Sequence, residues 1–95
     1  MTLQQLKYVI AIADSGSVNS AAKNLYLSQP SLSSAVKELE EEIGFELFRR
    51  SNRGVTITAE GEEFLNYARQ ICQQYILLED RFVAGRSRKK VSVST

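Results

Sequence analysis

The sequence contains no histidine and a single cysteine, Cys72, and these shortages exclude several kinds of chemistry at once. Zinc sites built from the usual cysteine and histidine ligands cannot be assembled. A serine–histidine–acid triad and a cysteine–histidine pair are excluded for the same reason. No polar catalytic cluster stands in their place, so no enzyme, metal site or bound cofactor is expected. One thiol cannot form an intrachain disulfide, and nothing points to secretion. The N-terminus has no basic-then-apolar leader and no apolar run is long enough to span a membrane. A soluble, cytoplasmic chain without a membrane partner is expected. An excess of one charge is missing as well: 12 basic and 11 acidic residues leave a net charge of +1. A nucleic-acid partner therefore requires positive charge that is local, because the bulk balance offers none.

The 95 residues, 43% of them hydrophobic, suffice for one small core. Thr2 and Gln5 have the spacing of a capping box. Leu3, Leu6, Ile10 and Ala13 follow at helical intervals, with Val9 widening the stripe and Gly16 closing the helix. Ser17 caps a second, short helix whose apolar face is Val18, Ala21, Ala22 and Leu25. Tyr26 and Leu27 connect it to a third helix capped by Ser28. The only proline in the chain, Pro30, lies in that helix's first turn, where a missing N–H costs nothing. Leu32, Val36, Leu39 and Ile43 form its buried stripe, and Gly44 ends it.

From Phe45 to Thr58 the pattern becomes that of a β-hairpin. Val55 to Thr58 alternates apolar and polar, Gly54 supplies an unusual backbone angle, and Arg49, Arg50 and Arg53 crowd the tip. Thr58 caps a last helix with Glu60, Glu62 and Glu63 in its first turns. That helix is predicted to run from Ala59 to about Arg86, roughly 40 Å at 1.5 Å per residue. Phe64, Ala68, Ile71, Tyr75, Leu78 and Phe82 follow one another at alternating steps of four and three, a coiled-coil seam. The first turn of that stripe is expected to pack on the domain's own core, but such a helix outruns a small body, and Ile71, Tyr75, Leu78 and Phe82 need a second surface, most simply another copy of the chain. Cys72 flanks the seam as a small hydrophobe. The tail from Arg88 to Thr95 starts basic and then alternates like a strand without a partner, as expected of a fragment cut where a further domain begins.

The expected fold is mainly α: a winged helix-turn-helix over residues 1–58, a dimerising linker helix over 59–87, and a hinge over 88–95. In that fold the third helix presents Gln29, Pro30, Ser31, Ser33 and Ser34 to base edges in the major groove of double-stranded DNA. Serine is a poor residue for a merely solvated helix surface, which argues for a use of these positions other than stability. Ser17, Ser28, Lys37, Arg49, Arg50 and Arg53 are the candidates for phosphate or minor-groove contact. Glu38, Glu40, Glu41, Glu42 and Glu46 would repel DNA unless the helix enters the groove by its N-terminus. The competing readings are a helical dimerising protein-interaction module and the winged helix of a metal- or oxyanion-responsive regulator.

The ordered set Ser17-Val18, Ala21-Ala22, Leu25, Ser28 to Ser33, Leu39-Glu40, Gly44, Leu47-Phe48-Arg49, Arg53 and Thr58 resembles the LysR-type transcriptional regulators. The resemblance implies a dimer with antiparallel linker helices, tetramers in the intact protein, an inverted-repeat promoter site and contact with RNA polymerase. It also implies a C-terminal domain that senses a small-molecule inducer. The family's base-contacting positions fall on Gln29, Pro30 and Ser33, and its minor-groove arginine on Arg53. Two departures stand out: Ser34 where many relatives have arginine, and Glu60-Gly61 where many have Ala-Gly.

Overall fold

A computed structural model describes residues 1–84. The tail after Ala84, with the expected helix end at Arg86 and the alternating strand, lies outside the described residues. The element order is α1 (Leu3–Ser15), α2 (Val18–Asn24), α3 (Gln29–Ile43), β1 (Phe48–Ser51), β2 (Gly54–Ile57) and α4 (Ala59–Glu79), continued by a π-helical turn at Asp80–Ala84. No described helix is long and apolar enough to cross a membrane.

The helix ends follow from side-chain capping. Thr2 and Gln5 form the full reciprocal box, Ser17 accepts from the Ser20 N–H, Ser28 from Ser31, and Thr58 from Gly61. Gly16 and Gly44 close α1 and α3 in the left-handed conformation, with φ of 71° and 86°. After α2 the same closure is made by Tyr26, at φ 58°. The Leu27 N–H reaches back to the Ala22 carbonyl and the Tyr26 N–H to that of Lys23, the paired bonds of a Schellman cap. A tyrosine here carries a steric cost that glycine would not, and its ring is almost wholly exposed.

Ala21 and Ala22 are buried where α2 meets α1 and α3, and Leu32, Val36 and Leu39 of α3 complete that core with Leu47, Phe48 and Leu65. The buried face of α1 differs from the expected stripe: Ile12 is buried at 1% exposure, whereas Ile10 and Ala13 are only partly covered. The reason is that α1 is packed on two sides. Val9 and Ile12 join the core with α2 and α3, while Leu6, flanked by Leu3 and Ile10, packs on Ala68 and Cys72 of α4.

The hairpin is antiparallel, pairing Phe48 with Ile57 and Ser51 with Gly54 across a turn of Asn52 and Arg53. It is held at both ends. The Val55 N–H bonds the Gly16 carbonyl at 3.2 Å, and a Cβ on Gly54 would stand 2.6 Å from that same oxygen. At the other end the Thr58 hydroxyl donates to the Glu46 carbonyl at 2.6 Å, and the Thr58 N–H to that of Leu47 at 3.0 Å. A side chain at Gly61 would collide with the Leu47 carbonyl oxygen, so α4 leaves the hairpin at closest backbone approach.

The expected seam on α4 is two separate stripes. Leu65, Ala68 and Cys72 are buried against the chain itself, with Phe64 and Tyr75 partly covered and the Lys7 ammonium 5.2 Å from the Tyr75 ring centre. Tyr67, Ile71, Leu78 and Phe82 are more than half exposed. At 3.6 residues per turn the two stripes lie about a quarter-turn apart. Phe64, Ala68 and Tyr75, expected at a dimer seam, therefore face their own chain, while Ile71, Leu78 and Phe82 stand free of its core.

Candidate nucleic-acid interface

The exposed part of α3 begins at its first residue. Gln29, Pro30, Ser31 and Ser34 are exposed, Ser33 is half-buried, and Lys37 is exposed one turn further on. These side chains project because Leu32, Val36 and Leu39 turn the other face inward. Two of the serines work for the helix itself. The Ser28 hydroxyl accepts from the Ser31 N–H at 3.2 Å and donates to the Ser31 hydroxyl at 2.8 Å. Part of the serine enrichment is thus capping.

The hairpin lies beside this face, and its arginines differ in place from the expectation. Only Arg53 occupies the tip; Arg49 and Arg50 are strand residues paired with Thr56 and Val55. Alternation along β1 sends the two to opposite faces. Arg50 turns towards α3, where its Nη2 donates to the Ser33 Oγ at 2.9 Å. Arg49 therefore takes the other face.

Two hollows lie between hairpin and helices, and Arg50 borders both. The smaller, about 170 Å³, brings together Ser17, Asn19, Gln29, Arg50 and Ser51. The larger, about 630 Å³, has Ser33, Lys37 and Arg50 on its rim, Ile12, Val36, Phe48 and Val55 beneath, and Glu41 and Glu46 towards the C-terminal end of α3. Positive charge and small polar groups thus gather at the N-terminal half of α3, and the acidic residues at the other half. Arg49 and Arg53 border neither hollow.

Sequence reasoning missed two contributors. Asn19 lies beside Ser17 and Gln29, and its only signal is an exposed place in the first turn of a capped helix. Glu40, taken with the other glutamates as a potential repeller of DNA, is half-buried. Its carboxylate accepts from the backbone N–H groups of Leu47, at 2.7 Å, and Phe48, at 3.4 Å. It ties the start of β1 to α3 and so fixes where the hairpin stands. Its position four residues after Val36 and three before Ile43 put it on the edge of the buried stripe.

Known proteins share the sequence and fold of this chain. The family model for bacterial regulatory helix-turn-helix proteins of the lysR family matches residues 3–62. The transcriptional regulator TfdT of Cupriavidus pinatubonensis is 45% identical over 71 residues, 75% of this chain and 31% of TfdT. TcbR of Pseudomonas sp. strain P51 is 44% identical over 87 residues, 92% of this chain and 26% of TcbR. The chain thus spans less than a third of the length of these two regulators. Among solved structures, the complex of the CbnR DNA-binding domain with DNA superposes with a TM-score of 0.74 at 38% identity, covering 99% of this chain and 98% of that one. The BenM DNA-binding domain on catB site 1 DNA gives 0.80 at 34% identity, covering 95% and 97%. With four α-helices and a two-stranded wing among the described residues and a family match over residues 3–62, this chain belongs to the lysR family of bacterial regulatory helix-turn-helix proteins.

Proposed function

We propose that this chain is the DNA-binding part of a transcription regulator, with α3 entering the major groove by its N-terminus and the hairpin following the backbone alongside. The observation that carries this reading is the gathering of Gln29, Ser33, Lys37 and Arg50 on one exposed face, with the glutamates of α3 held at its far end. Gln29 offers both donor and acceptor to an adenine edge. Lys37, Arg50 and Arg53 supply the charge that positions the protein on phosphates or in the minor groove. A second copy joins through Tyr67, Ile71, Leu78 and Phe82, whose apolar side chains meet nothing in their own chain's core. Two such copies would read half-sites about one helical turn apart, or a multiple of that.

The test is a fluorescence-anisotropy titration against duplex carrying the promoter upstream of the chain's own gene, at two salt concentrations, with scrambled duplex as competitor. Binding that withstands the scrambled DNA is the expected result. Weak binding on both duplexes that vanishes with salt would leave only nonspecific attraction. Gln29→Ala should lose about 1–3 kcal/mol of discrimination at one base position, and an equal loss on both duplexes would remove Gln29 from base reading.

A further inference from the structure

The bond between Arg50 and Ser33 joins the wing to the recognition helix across 17 positions of sequence. Among the described residues it is the only hydrogen bond of the Ser33 hydroxyl. A serine hydroxyl has one proton and two acceptor lone pairs. A guanidinium N–H on one lone pair makes a charge-assisted bond, turns the hydroxyl proton away from itself, and strengthens that proton as a donor. Ser33 lies one turn beyond Gln29 on the same side of α3, so it stands next in line along a groove. Arg50 keeps further N–H groups of its fork for a phosphate.

We propose that Arg50 and Ser33 form one reading unit, in which Arg50 is a positioning residue that occupies one acceptor lone pair of Ser33 and favours its use as a hydrogen-bond donor. The base facing Ser33 is then one that offers an acceptor in the major groove: guanine, thymine, or adenine at N7. Cytosine, which presents its amino group there, is selected against. The inference rests on the DNA-binding reading above and specifies what one position of that interface selects. Lys37 adds charge on the rim of the same hollow but has no comparable bond to Ser33. A lysine at position 50 would keep the charge and lose the planar fork that can hold a hydroxyl and a phosphate together.

The experiment is selection of duplexes randomised across a half-site by the 95-residue chain, with sequencing of the bound pool. Wild type, Ser33→Ala, Ser33→Thr, Arg50→Lys and the double variant Ser33→Ala with Arg50→Lys are compared. Wild type should show one position at which cytosine is depleted about three- to tenfold, the worth of a single net hydrogen bond. Ser33→Ala should level that position and no other, and Ser33→Thr, which keeps the hydroxyl, should retain the depletion. Arg50→Lys should level the same position while the salt dependence of binding is preserved, and the double variant should add nothing. The proposal is overturned if Arg50→Lys leaves the depletion intact, if the two substitutions act at different positions, or if cytosine is favoured. A wild-type pool without any enrichment would remove the DNA-binding reading itself, and this proposal with it.

Discussion

The two halves of α4 are built from the same kinds of residue and end in opposite environments. Leu65, at 6% exposure, is part of the core with Leu39 and Leu47, and Ala68 and Cys72 continue that attachment along Leu6 of α1. Thirteen residues on from Leu65, Leu78 is 55% exposed, with Ile76, Leu77, Phe82 and Val83 similarly uncovered. Scattered exposed apolar side chains are ordinary on a protein surface, but a cluster of this density on one helix marks a place for a partner. The first half of α4 is thus part of the winged head, and the second half reaches beyond it. A boundary drawn at Thr58 follows the chain, whereas the packing boundary lies near Tyr75.

The same substitution at the two leucines gives the sharpest test of that difference. Leu65→Ala should destabilise the chain by about 2–5 kcal/mol, the range for truncating a buried leucine and leaving a cavity. Leu78→Ala should change the stability of the single chain by no more than about 0.5 kcal/mol, as a surface substitution does. Urea unfolding at low protein concentration measures both. Sedimentation at higher concentration should then reverse the order of interest, with Leu78→Ala weakening self-association. Equal losses of stability for the two variants would dissolve the distinction between the halves.

The seam expected from sequence merged these two environments, and the reason is geometric. An inward stripe at Leu65, Ala68, Cys72 and Tyr75 steps by three and four, and an outward one at Tyr67, Ile71 and Leu78 by four and seven. Lying about a quarter-turn apart, they can be threaded into one plausible heptad that jumps between them. Caps were far more legible, because Thr2, Ser17, Ser28 and Thr58 act within three residues of themselves and need no tertiary information. The exposed face of α3 was legible for the same reason as its buried stripe, since each is the complement of the other. What sequence could not supply was the placement of the wing. That depends on long-range bonds from Glu40, Gly16 and Arg50, each to a residue between seven and 39 positions away.

Two adjacent glutamates extend the contrast between inward and outward use to polar residues. Glu40→Ala leaves the Leu47 N–H, which the carboxylate holds at 2.7 Å, without its partner at a partly buried site. A loss of about 1–3 kcal/mol is expected for removing one side of such a bond, together with weaker DNA binding as the wing loses its anchor. Glu41→Ala, at an exposed neighbour on the rim of the larger hollow, should leave the thermal midpoint unchanged. Removing its charge should if anything favour phosphate binding. Thermal melts and anisotropy titrations on both variants decide the matter. Indistinguishable melts would mean that the wing is held by its other tethers alone.

A modest effect is expected from the ion pair that helps attach the first half of α4. Arg69 donates to Asp14 at 2.7 Å, bridging α4 to the end of α1. Both side chains are about half exposed, at 45% and 58%, so water and salt compete for the pair. Arg69→Ala should therefore cost about 1 kcal/mol or less, and the difference from wild type should shrink as salt is raised in parallel unfolding curves. The contrast with Leu65→Ala is the point of the measurement: burial of Leu65, Ala68 and Cys72 holds α4 to the head, and the ion pair adds little to an attachment already made. A salt-independent loss as large as that of Leu65→Ala would reverse this order and make the Asp14–Arg69 bridge the principal tie between α1 and α4.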